Sequence, residues 1–337
     1  KENRWGNFWS VGGAWLINHE NFMEDVAWVD QLKLKASIGQ QGNDNIGNWA
    51  YTDLYELTPV SNSQMSASFY RIGNPDITWE TNTNFNAGFD FDLFRGRLSG
   101  TLEYFYRLTS DMLYFVSIPI SYGFSGYYDN IGDMRNQGIE FAINGTIMNR
   151  KNFNWSAYVN FTHYTNKITM LPEERKTRTV EGYKGYANGT SFVGEGLPLH
   201  TFYMYKYAGV NPETGLGEFY IDPELDSRDA MIDGQLVKDG NVTNYYSKAG
   251  ETLVGKAVPD WMGGLTNTFT YKNFDLSFMI SFQTGAKMFD YTGYFLRYSD
   301  GVRVGSFNME QEVAGNYWKK PGDVAKFKSI SLNNSLY

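Results

Sequence analysis

The chain has 337 residues, with 29 basic and 37 acidic side chains, a formal net charge of −8, and 25 Tyr, 24 Phe, 9 Trp and no cysteine. The acidic balance argues against a nucleic-acid binder, and the missing cysteine excludes disulfide frameworks, thiolate metal sites and thiol nucleophiles. No stretch approaches the roughly 18 apolar residues of a membrane helix, but that test says nothing of a barrel whose strands are apolar on one side only.

In chain order, residues 9–17 and 32–39 read as the first strands. From 81 to 93, Thr81, Thr83, Phe85, Ala87, Phe89, Phe91 and Leu93 alternate with Asn82, Asn84, Asn86, Gly88, Asp90 and Asp92. Such period-2 contrast marks a strand whose faces meet different media. After a turn at 94–96 comes a second strand, with Leu98, Gly100, Leu102, Tyr104, Tyr106 and Leu108 on one face and Ser99, Thr101, Glu103, Phe105 and Arg107 on the other. The same hairpin recurs at 138–147 with 153–165, and at 261–271 with 274–283. A last strand is expected near 327–337, which makes about nine crossings. Single-chain bacterial barrels use even numbers. An odd count, with Lys1 in place of an initiator Met, leads to the expectation of an internal or C-terminal piece of a larger barrel.

Strands of this length exceed the usual globular mode of about 5–6 residues and match the roughly 9–11 that a tilted strand needs to cross a bilayer. The apolar faces are flanked by Tyr104, Tyr106, Trp155, Tyr164, Trp261 and Tyr271, as expected of interfacial girdles. The opposite faces carry Asn, Thr, Ser, Asp and Glu rather than a second apolar set. Short turns alternate with long connections at 41–77, 109–135, 168–259 and 284–324, which is the pattern of a membrane barrel with extracellular loops. Parity requires 168–259 to cross an even number of times, zero included. The fold expected is therefore all-β, a transmembrane antiparallel β-barrel. On the same residues the rival is a secreted or surface carbohydrate-binding β-sandwich, which plain-buffer solubility would favour.

Certain stretches also resemble a known family. Asn74, Pro75, Asp76, Ile77, Thr78, Trp79, Glu80 and Thr81 are similar to the "NPxLxWE" stretch of SusC/RagA-like TonB-dependent outer-membrane transporters. Asn130, Gly132, Asn136, Gly138 and Glu140 match that family's "NxGxxxNxGxE" stretch, and 32–43 resembles its "LKLRxSxGxxGN" segment. Gly209, Val210, Asn211, Pro212, Glu213, Thr214 and Gly215, then Pro259, Asp260, Gly263 and Gly264, follow in the family's order. The resemblance implies a 22-stranded barrel around a plug, with the plug, the TonB-box segment and the closing strands expected outside this sequence. It further implies a SusD-like surface lipoprotein, energisation by TonB with ExbB and ExbD, a setting in outer-membrane lipid, and import of oligosaccharide or oligopeptide.

Catalytic patterns such as G-x-S-x-G, Walker A and H-E-x-x-H are absent from the sequence, so binding and gated passage, not chemistry, is expected, without cofactor. His19, His163 and His200 give no metal-ligand spacing. Asp222, Glu224, Asp226, Asp229 and Asp233 could hold Ca²⁺, but their spacing fits no defined calcium loop and a hydrated acidic loop is the simpler reading. The candidate substrate contacts are the loop aromatics Trp49, Tyr51, Tyr55, Tyr127, Tyr128, Tyr183, Tyr186, Tyr294, Tyr298 and Trp318, because sugars stack their C–H faces on rings. Packing of the loops against each other or a lid is the simpler reading of such residues. Glu80, Glu103, Arg107 and Glu140 face the polar side and need partners, which a plug would supply.

Overall fold

The computed structural model describes residues 3, 5–61, 64–118, 121, 123–124, 126–221, 231–232, 235–236, 242–297 and 309–330. Eight long strands form one sheet: β1 (Ser10–Leu16), β2 (Val29–Asn43), β3 (Glu80–Leu93), β4 (Leu98–Ser110), β5 (Asp133–Arg150), β6 (Phe153–Met170), β7 (Trp261–Tyr271) and β8 (Phe274–Thr284). Spatial order equals chain order, and every neighbouring pair is antiparallel.

The register converts the alternation into two continuous surfaces. One row crosses all eight strands as Trp15, Leu34, Phe89, Leu102, Phe141, Phe161, Gly263 and Phe282. The adjacent row on the other face reads Lys35, Gly88, Glu103, Glu140, Thr162, Met262 and Gln283. A one-residue slip of any strand would move its aromatics onto the polar face, so the side-chain pattern fixes the pairing. Cross-strand aromatic and aliphatic pairs of this kind contribute about 0.2–1 kcal/mol each.

What this sheet lacks is a protein core beneath its apolar face. The most deeply buried large side chains are Phe192, Ile77, Ile168, Leu171 and Val313, at the ends of strands or in the loops. On β8, Phe274, Leu276, Phe278, Ile280 and Phe282 are all exposed. Among the described residues no second apolar layer packs on the sheet, as a sandwich would require. Strands β1 and β8 are the edges. In lipid an open edge leaves peptide groups unsatisfied, so such a sheet belongs in a closed wall with further strands.

Aromatics mark both ends of the apolar face. At the short-turn end Trp155 stacks on Phe269 (centroids 5.5 Å) and Trp28 on Phe94 (5.7 Å). At the other end Trp261 stacks on His163 (4.0 Å) and packs against Phe161 (4.8 Å). Tyr164 departs from its expected place in the girdle: it pairs with Gly138 and has the parity of the polar face.

Connections alternate as expected, with 17–28, 94–97, 151–152 and 272–273 at one end and 44–79, 111–132 and 171–260 at the other. The long ones are structured. Leu54–Ser61 pairs with Gln64–Arg71, and Leu113–Ser117 with Gly126–Asn130. The third carries a five-stranded sheet ordered Arg178–Val180, Tyr183–Asn188, Ser191–Gly194, Thr201–Tyr205 and Glu251–Lys256. Its core is Phe192 with Val180, Leu197, Tyr203 and Leu253. Among the described residues this loop contributes zero strands to the large sheet. The ninth strand does not form over 327–330, where Phe327 makes only an isolated parallel bridge to Tyr317; the remainder of that expected strand lies outside the described residues.

Candidate functional site

Motif residues of the 74–80 and 130–136 stretches meet at the rim where the long loops leave the sheet, while Gly138 and Glu140 lie within the β4–β5 ladder. Asn130 accepts from the Thr78 N–H (2.9 Å) and donates to the Thr78 carbonyl (3.3 Å) and the Asp111 carbonyl (2.7 Å). Asn74 donates to the Asp129 carboxylate (2.8 Å), and its own Oδ1 accepts from the Asp76 N–H (3.1 Å). Glu80 accepts from Asn43, Asn82 and the Leu113 N–H. Pro75 lies in the turn between them, lining a cavity of about 480 Å³ with Asn74, Phe124, Tyr127 and Asn130. Trp79 packs edge-on against Phe8 (5.6 Å). Gly132 has φ +75°, and a Cβ there would lie 2.1 Å from the Met170 carbonyl oxygen, so only glycine lets the two chains approach. Asn136 accepts from Asn166, whose Oδ1 accepts from the Leu199 N–H (both 2.6 Å).

The polar face supplies the second element. Lys35 bridges Asp90 (2.9 Å) and Glu103 (3.0 Å), and Arg107 donates to Asn84 (2.7 Å). Glu80, Glu103 and Arg107 thus find partners within the chain. Glu140, directly across from Glu103, makes no side-chain hydrogen bond or ion pair among the described residues. It lines a trough of about 680 Å³ in which Thr101, Tyr158, Asn160, Thr162 and Gln283 alternate with the apolar Phe141, Met262 and Phe282, a mixed surface with one carboxylate.

The loop aromatics divide by what they touch. Trp49 lies 6.1 Å from Tyr51 and is well exposed, and Tyr55 is exposed with one edge on Phe69. Tyr127 faces the rim cavity. Tyr128 packs on Phe115 (5.3 Å) beneath the Arg71 guanidinium (5.7 Å). Tyr186 lies under Arg175 (5.8 Å), and burial raises its hydroxyl pKa. Tyr183 and Tyr294 are exposed, the latter stacked on Tyr291. Trp318 donates to the Pro212 carbonyl (2.7 Å) with its ring against Gly215. The aromatics of the first two loops meet where Phe69 packs on Phe124 (5.4 Å) and Arg71 overlies Tyr128. Tyr298 and the acidic set Asp222, Glu224, Asp226, Asp229 and Asp233 lie outside the described residues. Among the described residues no three His, Asp or Glu are grouped to hold a metal.

Two anchors were not apparent from sequence. Glu195 accepts from the Leu171 N–H (2.9 Å) and pairs with Lys176 (3.0 Å), which hold its carboxyl below the usual glutamate range. At the rim Asp111 is pushed up by burial and by the neighbouring Asp133 charge. The first depends on a backbone N–H and the second on a carboxylate 22 residues further along the chain, neither of which a residue pattern announces.

Comparison with known proteins agrees with this geometry. Residues 1–322 match the family described as TonB dependent receptor-like, beta-barrel. The TonB-dependent receptor P39 of Formosa agariphila is 28% identical over 99% of this chain and 34% of its own length. The TonB-dependent receptor SusC of Bacteroides thetaiotaomicron is 32% identical over 83% of this chain and 28% of its own. The solved structure of the RagAB peptide transporter superposes with a TM-score of 0.82 at 29% identity, covering 98% of this chain and 34% of that one. The chain spans about a third of the length of the relatives it matches. These relatives are receptors and transporters, not enzymes, and no described helix is long and apolar enough to cross a membrane. The chain belongs to the TonB-dependent receptor β-barrel family, whose members are outer-membrane proteins.

Proposed function

We propose that this chain is the wall and outer-loop portion of an outer-membrane importer of oligosaccharides. The observation that carries the reading is the pairing of a continuous apolar row with an opposite face of Asn, Thr and Ser crossed by the Lys35–Asp90 and Lys35–Glu103 ion pairs, together with loops at one end bearing exposed Trp49, Tyr55, Tyr183 and Tyr294. Hydrogen-bonding side chains and open aromatic faces suit a sugar oligomer. In the complete protein a barrel of 22 strands would surround a plug. A SusD-like lipoprotein would cover the loop side, and TonB with ExbB and ExbD would supply the energy.

A second reading, oligopeptide cargo, is favoured by the likeness to a transporter described as one for peptides. Calorimetric titration of the complete purified transporter, with and without its lipoprotein, against oligosaccharides and peptides separates the two. Tight binding of one glycan class supports the first reading. Binding of peptides alone replaces it with the second, and no binding of either class contradicts both.

A further inference from the structure

The chain carries a net charge of −8, yet its three tight turns hold five cations and no acid: Arg95 and Arg97, Arg150 and Lys151, and Lys272. All five are exposed. The turns join β3 to β4, β5 to β6 and β7 to β8, so they stand side by side at one end of the sheet, about 10 Å apart at two strand spacings each. Backbone bonds fix them there: Thr146 N donates to the Arg97 carbonyl (2.8 Å) and Lys272 N to that of Asn152 (3.0 Å).

None of the five side chains has a carboxylate partner among the described residues; Lys272 only overlies the Tyr271 ring at 5.4 Å. Asp30 spends its carboxylate on the backbone N–H groups of Arg95 (2.6 Å) and Gly96 (3.2 Å), and Asp92, whose Oδ1 lies 4.0 Å from where a Gly96 Cβ would stand, belongs to the polar face of β3 across from Ser99. Glu20, Glu24 and Asp25 belong to the connection between β1 and β2, beyond this row. Asp275 pairs across to Thr270 on the polar face. Moreover Arg95 (φ 62°) and Lys272 (φ 52°) occupy left-handed backbone, where Gly or Asn is the easier choice. Long cations stand there at a conformational cost.

Directly above the turns, the apolar face ends in Phe153, Trp155, Phe269, Tyr271 and Phe274. A cation row continuous with an aromatic girdle lies at headgroup depth. We propose that the three turns form a docking strip for the headgroups of anionic phospholipid in the leaflet on the short-turn side. Each phosphate would bridge cations of neighbouring turns, and the aromatic rings would pack its glycerol and upper acyl carbons.

The test uses the complete transporter in lipid discs of phosphatidylethanolamine with a minority of phosphatidylglycerol, counting lipids retained on the protein by native mass spectrometry. Phosphatidylglycerol should be enriched over its bulk share on the order of fivefold, the effect of about one well-placed cation. The variant R95Q/R97Q/R150Q/K151Q/K272Q should lose that enrichment, and R95K/R97K/R150K/K151R/K272R should keep it. R135Q/K167Q, at the opposite end, should leave it unchanged. No enrichment in the native protein, or an enrichment that survives the neutral variant, overturns the proposal. So does salt-sensitive capture of an acidic soluble protein by the native strip in the absence of lipid preference. Because the first readout is on native protein, a variant that fails to fold still leaves a decisive result.

Discussion

The side-chain amide of Asn130 straddles the backbone of Thr78, 52 residues earlier, accepting from its N–H at 2.9 Å and donating to its carbonyl at 3.3 Å. One side chain thereby imitates the neighbour that a strand would offer a lone peptide unit. It also binds the Asp111 carbonyl, so the loop before β3, the end of β4 and the approach to β5 become one rim. Replacement by Ala should lower stability by about 1–3 kcal/mol, since partly buried backbone groups lose their partners. Asn130→Asp should cost at least as much, because its anion faces two carbonyls. Thermal unfolding of the complete transporter and proteolysis within 111–132 report both.

Backbone proximity makes a second prediction. A Cβ at Gly132 would meet the Met170 oxygen at 2.1 Å and one at Gly138 the His163 oxygen at 2.3 Å, whereas at Gly145 the nearest atom is a Leu98 methyl at 3.6 Å. Gly132→Ala and Gly138→Ala should therefore cut the yield of folded barrel, judged by heat-modifiable gel mobility. Gly145→Ala should not.

Acid should act oppositely at two loop carboxylates. Glu195 has a folded pKa below its ordinary 4.5, so its contribution is present above that value and is lost as pH falls through the lower folded one. Asp111 is raised above 3.8; its burial costs stability while ionised, and that cost disappears as pH falls. Hydrogen exchange followed from neutral pH to about 3, below both ordinary carboxyl values, should show 171–199 loosening and 111–113 tightening. Glu195→Gln should flatten the first trend and Asp111→Asn the second.

The five-stranded loop sheet has its own core and should fail on its own. Phe192 is fully buried among Val180, Leu197, Tyr203 and Leu253. Phe192→Ala should cost about 3–5 kcal/mol in that unit. Faster proteolysis of 171–260 with unchanged barrel mobility is the expected outcome.

The wall of this molecule was largely legible in the residues because its signal is local. Phe85, Ala87 and Phe89 against Asn84, Asn86 and Gly88 declare two media, and the register then aligns those faces. Strand ends were underestimated where polarity rises near the rim: β5 runs to Asp133–Arg150 and β6 to Phe153–Met170, because ladder bonds continue after the apolar alternation stops. Residue type alone puts Tyr164 in the girdle, while its parity places it on the polar face. The loops were less legible. Their short strands are held by contacts such as Asn166 with Leu199 and Glu195 with Leu171, which join distant segments through the backbone. For the same reason the aromatic residues gave composition but not grouping.

The central claim is that the two faces of this sheet meet lipid and water respectively. This portion contains no cysteine, so in an otherwise cysteine-free background of the complete transporter single cysteines can be placed at 84 through 89 on β3 and spin-labelled. Accessibility to oxygen, which partitions into lipid, and to a water-soluble nickel chelate should then alternate, oxygen high at 85, 87 and 89 and nickel high at 84, 86 and 88. Equal nickel access along both faces would contradict the membrane wall.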